Sequence, residues 1–185
     1  PFALVAILGL VGGAILDLYS SGLALVSIGV PIKRHQAAII DSVIMLAGTF
    51  YIVWVANNFF YPFQGFLITL GVPVAVWSAI FVADVVMRKK AYSEKDLFDS
   101  NGLYGSVNKG SITLMGIGSI IGWGFVTNTF APWLEWQGYL LRFIGGKDGA
   151  WAYSNIGVIF ALLIGFFGHI ILSARKIKAQ EGLLS

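Results

Sequence analysis

The chain has 185 residues, of which 57% are hydrophobic and only 11% are charged, and it carries a formal net charge of +3. Soluble domains contain ~25% charged residues, so this composition excludes an ordinary soluble domain and indicates a membrane protein. Because the chain contains no cysteine, it has no disulfide framework, no thiolate nucleophile and no cysteine-based metal site.

The first predicted element is the apolar run at residues 2–30, which has one charged residue, Asp17, near its middle. The run is longer than a hydrocarbon core of ~30 Å requires. Glycines precede Asp17 and the poor helix formers at 19–22 follow it, so we expect a discontinuous helix that is interrupted near Asp17. A carboxylate at the centre of a span costs ~2.5–3.5 kcal/mol, and it therefore indicates a substrate or proton site, or else a hydrogen bond to a neighbouring helix.

Four further apolar segments have the ~20 residues that a bilayer span needs. They lie at about 37–56, 64–87, 111–134 and 150–173. The polar loop 88–110 separates the span at 64–87 from the span at 111–134. The whole chain, 1–185, is therefore predicted to be a single all-α transmembrane region with five spans. Two GxxxG pairs, Gly9 with Gly13 and Gly118 with Gly122, favour close helix packing.

The distribution of basic residues predicts the orientation. If the N-terminal end lies outside, ten of the 12 Lys and Arg residues fall on the cytoplasmic side and only Arg142 and Lys147 fall outside. We therefore expect a multi-pass plasma-membrane protein in which the loop 88–110 and the C-terminus are cytoplasmic. This topology accounts for the isoelectric point near 9.2 without a nucleic-acid partner.

A few charged side chains near the ends of the spans offer limited chemistry. Asp84 precedes Arg88 by four residues, which predicts a cytoplasmic ion pair with an anchoring or gating role. His35 lies in a basic loop and His169 near the inner end of the last span, so each is expected to be solvated or locally hydrogen-bonded. With no paired-histidine motif and no phosphate-binding glycine pattern, we expect neither an enzyme nor a metal or other cofactor.

Three stretches, at 17–34, 62–90 and 96–108, together resemble the nucleobase:cation symporter family of the purine/cytosine and allantoin/hydantoin permease type. The resemblance implies a transporter fold of the LeuT type, with two inverted repeats and discontinuous helices. The chain would be a C-terminal fragment with the last five of twelve spans, that is, the end of the second repeat and two C-terminal helices. Its partners would be the missing N-terminal spans of the same protein and the lipid bilayer.

The resemblance also implies site residues. Residues 2–30 would be the eighth span, with Asp17 where relatives commonly have an Asn that hydrogen-bonds the nucleobase. The predicted substrate- and proton-binding residues are Asp17, Gly13, Ser20 and Ser21. The predicted extracellular gate consists of Gln64, Gly65, Phe66 and Leu67.

One departure from the family concerns the coupling ion. Sodium-coupled relatives have two side-chain hydroxyls where this chain has Val11 and Gly12, so a proton is favoured over sodium. The function implied is a secondary active transporter for cytosine, purines, allantoin, hydantoins or related heterocycles, working by alternating access. The alternatives are an integral-membrane enzyme, which would need a catalytic cluster such as His35 with Asp41, and a structural membrane subunit.

Overall fold

A computed structural model of the protein describes residues 2–27, 32–56, 58–99 and 101–183. These residues are 74% helical and include no strand, so the predicted all-α class is confirmed. Four of the helices are long and apolar enough to cross a membrane, and they are Phe2–Leu25, Arg34–Val55, Phe60–Met87 and Ile156–Leu183. The chain divides into two compact units, Pro1–Phe59 and Phe60–Ser185.

The first unit is a helical hairpin. Helix α1 covers Phe2–Ser27 and helix α2 covers Arg34–Phe50, after which one π-helical turn, Tyr51–Val55, extends α2. The two helices approach each other near their connected ends, where a Cβ atom on Gly22 would lie only 3.7 Å from the Arg34 carbonyl oxygen. The Arg34 guanidinium also lies 4.2 Å from the centre of the Tyr19 ring, which adds a cation–π contact between the helices.

The expected interruption near Asp17 is wrong, because α1 is an unbroken α-helix from Phe2 to Ser27. A glycine inside a helix costs about 1 kcal/mol relative to alanine. A break would instead expose backbone N–H and C=O groups in an apolar medium, and each such group costs several kcal/mol. The end of the predicted span, residues 28–30, lies outside the described residues.

The second unit is built around three longer helices. It contains α3 (Phe60–Met87), the short α4 (Glu94–Leu97), α5 (Lys109–Gly124) and α6 (Ile156–Leu183), with two 3-10 turns, Pro132–Leu134 and Leu141–Phe143, between α5 and α6. Asn108 caps α5 through its Oδ1, which accepts a hydrogen bond from the Ser111 backbone N–H. Helix α3 begins four residues before the predicted span 64–87 and ends with it.

Helices α3, α5 and α6 pack as a bundle whose directions follow from their contacts. Gly122 of α5 faces Val72 of α3 and Gly118 faces Val76, so these two helices are antiparallel. Helix α6 runs parallel to α3. Its Gly165 lies against Val76, and farther along both helices Arg88 hydrogen-bonds Gln180. The core between the three helices contains Val72, Ala75, Val76, Ile80, Leu114, Val126 and Ala161.

The fourth predicted span, 111–134, is helical only as far as Gly124. The residues that follow include Thr127, Asn128 and Pro132, which are poor helix formers. The chain turns instead, and the last α5 carbonyls receive partners from farther along, because Gly138 donates to Trp123 and Leu140 donates to Gly124, both at 2.8 Å. The carbonyls of Trp123 and Gly124 are therefore satisfied by protein groups.

The last helix is also displaced from the predicted span 150–173. Residues 151–155 form turns that end at Asn155, whose φ of 50° is a left-handed value that asparagine tolerates better than most residues. Helix α6 then begins at Ile156 and continues to Leu183, ten residues beyond the predicted end.

Candidate functional site

The four predicted substrate-site residues lie on one face of α1. Residues at positions 13, 17, 20 and 21 are separated by three or four positions and therefore stack along the same side of an unbroken helix. Gly13, Asp17 and Ser20 are exposed within their unit, and Ser21 is half-buried. Around Gly13, a Cβ atom would meet no other atom within 4 Å, so the helix surface beside the carboxylate is open.

Asp17 lies close to the centre of α1. It is the sixteenth of 26 residues, which places it within about 4 Å of the midpoint of a helix about 39 Å long. A cavity of ≈ 560 Å³ opens between α1 and α2, but it is lined by Leu18, Tyr19, Gly22, Arg34, His35 and Ala38 and not by Asp17. The carboxylate is therefore presented on the outside of this helical hairpin.

The predicted gate forms the second turn of α3. Gln64 is half-buried, Gly65 is buried, and Phe66 and Leu67 are exposed. The Gly65 carbonyl accepts hydrogen bonds from Asn128 Nδ2 at 2.9 Å and from the Thr69 hydroxyl at 2.8 Å. A Cβ atom at position 65 would lie 2.7 Å from the end of the Leu134 side chain, so a larger residue there would displace Leu134 in the segment that follows α5.

Buried polar side chains surround Thr69, whose carbonyl is left without its helical partner by Pro73. This proline lacks the N–H that would pair with the Thr69 carbonyl, and the indole N–H of Trp123 donates to that carbonyl instead, at 2.8 Å. The Thr69 hydroxyl accepts from Gln137 Nε2 at 2.8 Å and from Asn128 Nδ2 at 3.1 Å. Two buried oxygens here, Asn128 Oδ1 and Thr127 Oγ1, have no hydrogen-bond partner among the described residues.

The structure assembles a second polar group, which we call the Asp84 cluster and which consists of Asp84, Arg88, Tyr92, Ser111, His169 and Ser173. The ion pair predicted by the spacing of Asp84 and Arg88 is present, with Arg88 Nε 2.7 Å from Asp84 Oδ2. The Tyr92 hydroxyl donates to the same oxygen. Asp84 Oδ1 lies 3.1 Å from His169 Nε2 on α6.

His169 is almost completely enclosed, with 1% of its surface exposed. While its Nε2 faces Asp84, its Nδ1 lies 3.3 Å from the Ser173 hydroxyl and 3.4 Å from the Ser111 hydroxyl. Three helices therefore meet at this imidazole, because Asp84 lies on α3, Ser111 on α5 and Ser173 on α6.

Arg88 links the Asp84 cluster to the last turns of α6 and to the segment that follows α3. Arg88 donates to Gln180 Oε1 at 3.1 Å, and its guanidinium lies 4.6 Å from the Tyr92 ring centre and 5.2 Å from that of Tyr104. Burial opposes the charge of Arg88, but the hydrogen bond and charge of Asp84 raise the pKa of Arg88 above its usual value. Burial and the hydrogen bond to Asp84 both raise the pKa of the Tyr92 phenol.

A cavity of ≈ 250 Å³ borders the Asp84 cluster. Asp84, Asn108, Ser111 and His169 form its polar side, and Trp77, Ile80, Phe81 and Met115 form its apolar side. The cavity borders both the carboxylate and the imidazole, and the carboxylate is the more exposed of the two, with 20% of its side chain accessible.

Sequence reasoning missed the contact between Asp84 and His169. His169 was expected to be solvated or locally hydrogen-bonded. The local hydrogen bond is present, to Ser173, but the side chain is buried and its carboxylate partner is 85 residues away in the sequence. The available signal was the presence of His169 and Ser173, four residues apart on one face, at the end of the apolar part of the helix.

Among the described residues, no group of three or more His, Cys, Asp or Glu side chains is arranged to hold a metal ion. Comparisons of the chain with protein-family models, with curated proteins and with solved structures find no match.

Proposed function

We propose that this chain is part of a secondary active transporter that carries nucleobases or related heterocycles together with a proton, by alternating access. The observation that carries the proposal is the position of Asp17 near the centre of an unbroken helix of membrane-spanning length. Ionisable side chains at such depth are costly, and they mark substrate or ion pathways. A carboxylate retained there indicates a binding role.

The chemistry of Asp17 suits a nucleobase-like ligand. A carboxylate accepts hydrogen bonds from ring N–H and exocyclic amino groups, as acidic side chains do with cytosine N4. Gly13, one turn before Asp17, leaves room for a planar ring, and the hydroxyls of Ser20 and Ser21 lie one turn beyond it. The resemblance to nucleobase:cation symporters supports the same ligand class, since relatives commonly have a base-binding Asn at this position.

The unbroken α1 helix also bears on the coupling ion. The carbonyls of a continuous helix are engaged by its own N–H groups, so they are not free to coordinate a cation. Neither Val11 nor Gly12 has a side-chain oxygen. Asp17 is the only charged residue of α1, and we propose that the cation it takes up is a proton, which also neutralises the charge within the membrane.

For the whole chain we propose five crossings in a LeuT-type arrangement. Helix α5 has 16 residues and is about 24 Å long, so the segment that packs after it completes the fourth crossing. The excess of Lys and Arg in the segments predicted to be cytoplasmic supports a cytoplasmic C-terminus and a cytoplasmic Asp84–Arg88 ion pair. We propose that the membrane is the plasma membrane.

The proposal is tested by uptake measurements on the full-length protein with Asp17→Asn. Wild-type protein is expected to take up at least one compound from a panel of nucleobases, hydantoins and allantoin, more strongly at acidic external pH and without added sodium. Asp17→Asn is expected to lower uptake by about tenfold or more and to remove its pH dependence. Asp148→Asn, an exposed acid between α5 and α6, is the control. Unchanged affinity and pH dependence in Asp17→Asn would remove Asp17 from the mechanism.

A further inference from the structure

The surroundings of His169 satisfy both protonation states of its imidazole. In the neutral ring Nε2–H donates to Asp84 Oδ1 and a serine hydroxyl donates to Nδ1. In the charged ring both nitrogens are donors, and Nδ1–H can donate to the same serine oxygen once that hydroxyl rotates. Ser111 and Ser173 both lie within reach of Nδ1. Nδ1 therefore has a serine oxygen within hydrogen-bond reach in both protonation states.

The charge of the protonated ring is also compensated. Asp84 faces His169 Nε2 at 3.1 Å through one oxygen, while the other oxygen accepts from Arg88 Nε at 2.7 Å and from the Tyr92 hydroxyl. These donors stabilise the carboxylate in its ionised form, so an incoming proton is directed to the imidazole. A charged imidazole beside a carboxylate avoids the cost of an isolated buried charge.

Among the groups around His169, the Asp84 carboxylate is the main electrostatic partner of the imidazole. From α3 and the segment after it the facing groups are Arg88, Tyr92 and Tyr104, while α5 and α6 contribute the hydroxyls of Ser111 and Ser173. Lys109, at the start of α5, is exposed. The cavity of ≈ 250 Å³ that both Asp84 and His169 line gives a proton from water a route to the ring.

From these contacts we infer that His169 and Asp84 form a proton-binding site, in which the imidazole takes up one proton from the cavity and the carboxylate balances its charge. This site is separate from the proposed role of Asp17 and does not depend on it.

The site is tested by NMR of the full-length protein in lipid nanodiscs with ¹⁵N-labelled histidine. Of the two histidines in this chain, His35 serves as an internal reference, and His35→Gln and His169→Gln assign their signals. The ring nitrogens of His169 are expected to change from the neutral to the imidazolium pattern as the pH is lowered. In Asp84→Asn the ratio of protonated to neutral His169 at a given pH should fall by about tenfold, while Asp148→Asn should leave it unchanged.

The inference is overturned if His169 keeps its neutral pattern at every pH at which the protein stays folded, or if Asp84→Asn leaves the protonated fraction of His169 unchanged. Should Asp84→Asn fail to fold, the double variant Ser111→Ala with Ser173→Ala keeps the carboxylate and removes both acceptors for Nδ1–H. It should also lower the protonated fraction, and an unaltered titration would contradict the proposed role of the serines. The measurement reads the ring directly, so it stands whatever the uptake assay of Asp17→Asn shows.

Discussion

At the scale of single residues, Asp84 organises one end of the second unit. Its two oxygens receive donors from Arg88 one turn later on α3, from Tyr92 beyond the end of that helix, and from His169 on α6. Hydrogen bonds to an ionised carboxylate are stronger than those between neutral groups, so a carboxylate that accepts several of them contributes more to stability than an exposed carboxylate does. The cluster therefore fixes α3, the segment after it and α6 to one another.

Tyr92 gives this cluster a measurable dependence on alkaline pH. Its pKa is raised above the usual 10.0, so its contribution to stability is complete below about pH 10 and is lost as the pH rises through the raised pKa. Because Tyr92 is 39% exposed, we expect Tyr92→Phe to cost only about 1 kcal/mol near neutral pH. The variant should then lose less stability than the wild type above pH 10.

Thermal unfolding of the purified protein between pH 7 and pH 11 checks this prediction. Tyr153→Phe is the matched control, since Tyr153 is 72% exposed, and it should follow the wild-type curve. If the curves of Tyr92→Phe and wild type stay parallel across this range, the phenol of Tyr92 does not contribute in the way described.

At this scale, the sequence predicts what lies within one helix and misses what packing brings together. The spacing of Asp84 and Arg88 predicts their ion pair, because residues four apart share a helix face. The partners His169 and Gln180 lie 85 and 92 residues from Asp84 and Arg88, so the contacts depend on the parallel packing of α3 and α6. No local pattern specifies that register.

At the scale of helices, small residues determine how closely α3 and α6 approach. Gly165 of α6 lies directly against the α3 backbone, where an added Cβ atom would be 2.7 Å from the Val76 carbonyl oxygen and 2.9 Å from Ala79 Cβ. Backbone atoms cannot move aside as a flexible side chain can, so this contact requires glycine.

We therefore predict that Gly165→Ala destabilises the second unit by about 1–3 kcal/mol, through overpacking of the interface between α3 and α6. Gly182→Ala on the same helix is the control, because a Cβ atom there would meet nothing within 4 Å. The control should be neutral or more stable by up to about 1 kcal/mol, since alanine favours a helix. Equal unfolding temperatures for the two variants would contradict the close packing of α3 and α6.

The existence of the long helices is predictable from hydropathy, but their interruptions are not. The apolar run around Asp17 contains enough glycine and serine to suggest a break, yet the helix continues because its backbone groups have no better partners. Residues 125–134 are apolar enough on average to suggest a span, yet the helix ends at Gly124. Its last carbonyls are satisfied there by Gly138 and Leu140, which only the folded chain brings within reach.

At the scale of the whole molecule, the distribution of charge predicts a direction across the membrane. The chain contains no cysteine, so a single introduced cysteine is the only thiol within it, and labelling is compared with the same full-length protein without that cysteine. If the segment between α3 and α5 is cytoplasmic, Glu94→Cys should react with a membrane-impermeant thiol reagent only after the cells are permeabilised. Asp148→Cys should react in intact cells. Labelling with the opposite pattern would reverse the proposed topology.

The central claim is that heterocycle transport is coupled to a proton through Asp17. The most direct measurement is the internal pH of proteoliposomes that contain the full-length protein, recorded in sodium-free buffer when a transported nucleobase is added outside. We predict acidification of the interior that depends on the substrate and is lost in Asp17→Asn. Substrate uptake without proton movement, or uptake that requires sodium, would contradict it.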